Sequence, residues 1–173
     1  MKSALIASLI VCSACTAAAQ SERFEWFPLQ ISFAPEVQLM VREVPIHGLR
    51  LNLGNGESDH VRGVDLGLFT SSTDFLGVQI NAANYVQEKA VGMQFGLVNR
   101  ARDFTGMAIG AVNQTDGLVK GVTFGAANFS SEVVGMQIGF FNYCHSMTGA
   151  QIGLFNVIKE KTIDFMPFMN IHW

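Results

Sequence analysis

Between residues 48 and 156 the chain alternates apolar and small or polar positions in a repeated octet, G-x-Q-x-G-x-x-N. Its clearest copies are Gly92 to Asn99 (GMQFGLVN), Gly135 to Asn142 (GMQIGFFN) and Gly149 to Asn156 (GAQIGLFN). Looser copies run from Gly77 to Asn84, Gly106 to Asn113 and Gly121 to Asn128, and two degenerate ones, Gly48 to Asn55 and Gly63 to Thr70, lead the array. With the leading glycine as position 0, the odd positions carry Met, Val, Leu, Ile, Phe or Ala. The even positions carry Gly, then Gln (or Arg, Asp, Ala, Thr), then Gly or Asn. Two residues before each glycine an apolar side chain recurs on the even face: Phe75, Ala90, Phe104, Val119, Val133 and Met147. Alternation of period two predicts a strand in every repeat. A helix would need apolar residues at i, i+3, i+4 and i+7, and each internal glycine would cost it about 1 kcal/mol.

Charge follows the same grammar. No octet from Gly77 to Asn156 contains a charged residue, whereas Glu88, Lys89, Arg100, Arg102, Asp103, Asp116, Lys120 and Glu132 lie between octets. Ser71-Ser72, Asp116-Gly117 and Ser130-Ser131 in these connections are turn chemistry. Two architectures accept such an array, an antiparallel meander closed into a barrel and a stacked β-solenoid. The connections number 7, 6, 7, 6, 7, 6 and 6 residues. An alternation repeating every two strands is what a meander predicts, since its successive turns lie at opposite ends of the sheet. The octet with its preceding apolar residue also matches the 9–11 residues with which a tilted strand crosses a bilayer. Glu25 to Phe33 adds a strand before the array, with Pro28 at its start or on an edge. Ile163 to Trp173 adds one after it, ending in an aromatic as outer-membrane barrels do. The expected fold is therefore all-β, an antiparallel meander of about ten strands closed into a small outer-membrane barrel, with its apolar odd face on lipid and its Gly/Gln face lining the interior. Val37 to Val41 is a candidate extra strand that would upset the even count. The alternative is a β-solenoid of 14–15-residue repeats. It would have the Met/Ile/Leu face inward as core, a flat Gly/Gln surface outside and the terminal strand as a cap.

Composition narrows the class. Of 173 residues 49% are hydrophobic and 14% charged, against about 25% charged in a soluble domain; a disordered chain is excluded. Eleven basic against 14 acidic residues, net −3, leave no basic footprint for nucleic acid. Residues 1–19 read as a secretory signal peptide, with Lys2, an apolar stretch from Ala4 to Cys12 and small residues ending in Ala17-Ala18-Ala19. Lipidation at Cys12 or Cys15 is the poorer reading of this segment, because Val11 precedes Cys12. The expected organisation is then 1–19 signal peptide, 20–47 N-terminal strand region, 48–156 eight-repeat array and 157–173 closing strand. The exported chain keeps one thiol, Cys144, which excludes an intramolecular disulfide framework.

The array, led by Gly48-Leu49-Arg50-Leu51-Asn52-Leu53 and Gly63-Val64-Asp65-Leu66-Gly67-Leu68, resembles bacterial surface repeat-containing proteins of the type named from leptospiral sequences. The opening Trp26-Phe27-Pro28-Leu29-Gln30-Ile31-Ser32 resembles that family's N-terminal stretch, and the likeness covers residues 26 to 173. Ala108 and Thr123 depart from it by replacing the glutamine. The resemblance implies an exported surface or outer-membrane protein, and it brings no catalytic residues.

The candidate chemistry is thin. Cys144-His145 falls in an expected turn, and His47, His60 and His172 show no metal-ligand spacing with it. Asp74, Asp103, Asp116 and Glu132 recur in similar places, but without the calcium-binding nonapeptide they read as a solvated rim. Asn84, Asn99, Asn113, Asn128, Asn142 and Asn156 suit backbone bonding at strand ends. Gln79, Gln94, Gln137 and Gln151 suit an interior ladder. Asn113-Gln114-Thr115 and Asn128-Phe129-Ser130 match a glycosylation acceptor, which is moot at a bacterial strand end. No phosphate-binding glycine loop is present. The expectation is an exported structural protein of the outer membrane or cell surface, not an enzyme. It has no catalytic, cofactor or metal residues, membrane lipid is its expected partner and nucleic acid is not. The alternative function is a surface-attached or secreted solenoid binding a partner through its flat Gly/Gln face.

Overall fold

The computed structural model describes residues 25–34 and 37–173; residues 1–19, expected to be a signal peptide, lie outside the described residues. Five strands follow in order: β1 (Phe27–Ala34), β2 (Val37–Gln38), β3 (Ile46–Phe95), β4 (Val98–Ile158) and β5 (Phe165–His172). β3 and β4 are far longer than any straight strand. They wind, and each repeat stacks in parallel on the one before it. Ala83 pairs with Val98 and Gly92 with Gly106, offsets of one repeat. The sheet order is β2-β1-β3-β4-β5, and it is antiparallel only at its ends, where β2 lies on β1 and β5 on β4.

This is a β-solenoid, and it overturns the ten-strand antiparallel barrel. A meander must pair neighbouring repeats antiparallel, whereas here they run parallel, and the sheet ends in two caps without closing on itself. Alternating connection lengths have a different cause from opposite ends of a meander. Val86 pairs with Ala101 and Lys89 with Asp103, so three residues of one coil span the same step as two of the next. A 15-residue coil meets a 14-residue coil, and the extra residue bulges out at the charged corner around Gln87-Glu88. The strand expected from Glu25 begins at Phe27, the one expected from Ile163 begins at Phe165, and Val37–Gln38 contributes two residues.

The Gly/Gln face points inward, as the barrel reading had it and opposite to the faces of the solenoid reading. Position −2 forms a buried apolar column through Ile46, Val61, Phe75, Ala90, Phe104, Val119, Val133 and Met147. A second buried column stands nine residues after each leading glycine from Gly63 onward: Ser72, Val86, Ala101, Thr115, Ser130, Cys144 and Ile158. Between them lie the buried side chains of positions +2 and +7. The chain turns where consecutive side chains both point out, as at Leu97-Val98 and Arg102-Asp103.

A further bend falls on the leading glycine, which in all eight repeats has φ between +123° and +151°, a region that side-chain-bearing residues seldom enter. A Cβ on Gly106 would also overlap the carbonyl oxygen of Gly92 directly beneath it. Conformation and stacking thus require glycine independently.

Both ends are covered. Gln30 of β1 pairs with Arg50, and its side chain accepts from Met40 N–H (2.9 Å) and donates to Met40 O (3.0 Å). At the other end β5 lies on the last coil from Gly149–His172 to Val157–Phe165.

Candidate functional site

The interior is unusual for its polarity. Position +2 runs Arg50, Asp65, Gln79, Gln94, Ala108, Thr123, Gln137, Gln151, and both charged members are 0% exposed. The Arg50 guanidinium grips Asp65 with two bonds, Nε to Oδ1 at 3.0 Å and Nη2 to Oδ2 at 2.6 Å. It also donates to Thr70 Oγ1 and to Ser71 O. Asp65 accepts further bonds from Asn52 Nδ2 (2.7 Å), Gln79 Nε2 (3.1 Å) and Asn81 Nδ2 (3.3 Å). The two degenerate octets thus place complementary charges one above the other, and five donor contacts offset the carboxylate's desolvation. Opposite charges at equivalent positions of successive repeats were a readable signal, one that octet degeneracy concealed.

From this pair two amide ladders run through the stack. Gln94 donates to Gln79 (2.7 Å) and Gln151 to Gln137 (2.8 Å), with Ala108 and Thr123 as the gap. The asparagine ladder is unbroken. Asn81 donates to Asn84 (2.8 Å), and Asn84, Asn99, Asn113, Asn128, Asn142 and Asn156 follow at 2.7–2.8 Å. Each Nδ2 has two hydrogens. In Asn99 the second goes to Ile109 O (3.0 Å), a backbone acceptor of the next coil. Asn156 ends the ladder on Met166 O of β5 (3.2 Å). Backbone bonding by the asparagines and an interior glutamine ladder are both present. The asparagine ladder itself is additional to them.

The remaining sequence candidates are scattered, apart from His47, His60 and Asp74, which line one groove. Cys144 is not in a turn: it is buried in the second interior column, where it accepts from Gln151 Nε2 (3.3 Å). Burial pushes its thiol up to about 12, so it stays protonated and a poor nucleophile. His145 beside it points outward. His172 Nδ1 lies 2.8 Å from Met147 O, and His60 Nδ1 lies 3.2 Å from Asp74 Oδ2. Asp116 is paired with Arg100 at 3.0 Å, which holds its carboxyl below the usual range. Asp103 accepts from Leu118 N–H (2.8 Å). No group of three or more His, Cys, Asp and Glu that could hold a metal ion occurs among the described residues.

What the geometry does assemble is a surface. The outward positions +1, +3 and +5 stack into apolar columns on one flank, and +6 carries them around the corner at Leu97-Val98; the columns include Met93, Ile80, Leu97 (65% exposed), Val98, Phe140 (59%) and Phe155. Phe140, Phe155 and Phe165 continue as a run of tilted rings at 6.1 and 6.2 Å. The charges stand at the other corner and pair between coils, Arg102 with Glu88 at 3.2 Å and Arg100 with Asp116. Seven steps of about 4.8 Å and a width of six residues give the flank with its corner about 700 Å², more than the few hundred Å² a solitary soluble protein usually exposes in one patch. The exposed apolar face is therefore the Met/Ile/Leu one. The Gly/Gln face expected to bind a partner is the packed interior. No family model matches this chain, and comparison with the curated proteins and with the solved structures returned no match.

Proposed function

We propose that the protein is an exported, non-catalytic β-solenoid scaffold of the outer membrane or cell surface, seated on membrane lipid by its apolar flank. The observation that carries this reading is segregation. One flank of a rigid stack is apolar and free of charge from Gly77 to Asn156, while the ion pairs occupy the opposite corner. Apolar area of this size gains free energy on leaving water, and a lipid surface accepts a flat face without needing a matching shape. Export rests on the layout of residues 1–19, and the surface location on the resemblance of the octets to bacterial surface repeat proteins. The polar interior holds the coils in register, and its ion pair, Arg50 with Asp65, is sealed from solvent.

Flotation with phosphatidylcholine vesicles tests the seating. The protein without residues 1–19 should float, and Met93→Asp with Ile109→Asp should stay in the bottom fraction while keeping its far-UV spectrum. Both substitutions point outward, so the fold survives them. Wild-type protein that stays at the bottom, or a variant that floats as well, overturns the reading. A lipid-independent dimer abolished by the same substitutions would reassign the flank to a second copy.

A further inference from the structure

We propose that the N-terminal part of the solenoid carries an oxyanion-binding groove for a ligand joining a carboxylate or phosphate to an apolar body. The groove has a volume of about 470 Å³, within the range of small-molecule sites. It lies between two outward columns of the first coils. His47, Arg62, Leu76 and Val91 stand immediately before leading glycines, and His60, Asp74 and Lys89 stand three residues before them. The strand backbone at Val61 and Phe75, whose side chains point into the interior, forms its floor. Trp26 stacks on His47 at 5.6 Å, beside the groove.

The distribution of cations singles this groove out. Nine Lys and Arg residues fall among the described residues. Arg42, Arg50, Arg100, Arg102 and Lys159 are in ion pairs, and Lys161 donates to Asn170 Oδ1 at 2.7 Å. Arg62, Lys89 and Lys120 have neither an ion pair nor a side-chain hydrogen bond, and the first two line this one groove. The acid in its lining, Asp74, is engaged by His60 at 3.2 Å. Lys89 sits beside Asp103 in the ladder, but that carboxylate accepts from Leu118 N–H and makes no ion pair with Lys89. A chain of net −3 that pairs most of its bases leaves two unpaired cations in one groove beside Leu76 and Val91. Arginine offers a planar fork matched to an oxyanion, lysine a point charge, and Leu76 and Val91 give the ligand's apolar body a wall. In later coils the position of Lys89 is taken by Asp103, Leu118, Glu132 and Ser146, so the arrangement is not repeated.

Calorimetric titration of the protein without residues 1–19 tests this with phenyl phosphate, inorganic phosphate and benzyl alcohol. Phenyl phosphate should bind saturably at one site, inorganic phosphate more weakly and benzyl alcohol not at all. Arg62→Gln with Lys89→Gln should weaken phenyl phosphate by about tenfold or more, as expected for loss of charge-assisted bonds, while Lys120→Gln leaves it unchanged. Absence of saturable binding, or equal affinity in the double variant and wild type, overturns the proposal. Phosphatidylglycerol vesicles that displace phenyl phosphate identify a lipid headgroup as the source, and failure to displace it identifies a free ligand; both uphold the oxyanion chemistry. The double variant leaves the apolar flank intact, so its flotation on phosphatidylcholine stays as in wild type and the two proposals fail separately.

Discussion

A carboxylate sealed from water is stable as a charge only while its donors hold it, and Asp65 has five donor contacts from four residues. Arg50, equally buried, has no route to solvent if that partner is removed. Asp65→Asn keeps the size of the side chain but strands the guanidinium and turns an amide nitrogen toward the donors of Asn52, Gln79 or Asn81. We expect a loss of about 3–5 kcal/mol in urea unfolding. Replacing both members, Arg50→Met with Asp65→Leu, should regain much of it, because the pair's desolvation cost then disappears as well. A single variant within about 0.5 kcal/mol of wild type would show that the pair is not sealed as described. Thr70, which accepts from Arg50, stands where later octets have asparagine. The two leading octets therefore differ from the rest in a coordinated way, and their degeneracy is the signature of the ion pair.

At the scale of the repeat, parity was legible and direction was not. A strand has two faces, so the octet separates Met/Ile/Leu from Gly/Gln whatever the fold. Which face is inside depends on whether the amides find partners, and that is decided by a neighbour 14 or 15 residues away. Parallel stacking puts Asn over Asn and Gln over Gln, and the polar face becomes a packed interior. Antiparallel pairing would have set each residue against a different position of the octet. The connection lengths did not distinguish the two, because a bulge at Gln87-Glu88 imitates the alternation of a meander. Two neighbours test the assignment of faces. Gln137 is fully buried, accepts from Gln151 and donates to Ser130 Oγ (3.2 Å); Gln137→Asp removes that donor and buries an unpaired charge. It should cost about 3 kcal/mol or more. Ile138→Asp changes an outward column and should cost about 1 kcal/mol. Thermal unfolding at neutral pH reads the ranking, and the reverse order, which a stack with the Met/Ile/Leu face as its core would give, would invert the faces.

For the whole molecule the problem is its ends. A solenoid has two open edges, and each presents unpaired N–H and C=O groups to any other chain. The aromatic C-terminal segment, which by sequence resembled a barrel assembly signal, lies antiparallel across the last coil. Its own outer edge is poorly suited to accept another strand. Pro167 lacks an N–H, Phe168 adopts φ +66°, and the register shifts between Gly153 and Asn156. These are devices that blunt an edge. Ending the chain at Lys161 removes β5, strips Asn156 of its bond to Met166 O and lays bare the backbone from Gly149 to Val157. The truncated protein should keep the far-UV spectrum of its remaining coils but associate end to end, giving a sedimentation profile that grows with concentration where the full chain's does not. Pro167→Thr restores one edge donor and should produce a weaker form of the same behaviour. If instead the truncated chain stays monomeric and merely loses its last coil, the edge is protected by fraying, and β5 contributes stability alone. A rise in association with Pro167→Thr at unchanged thermal stability would separate the two roles, because that substitution alters the edge and leaves the cap in place.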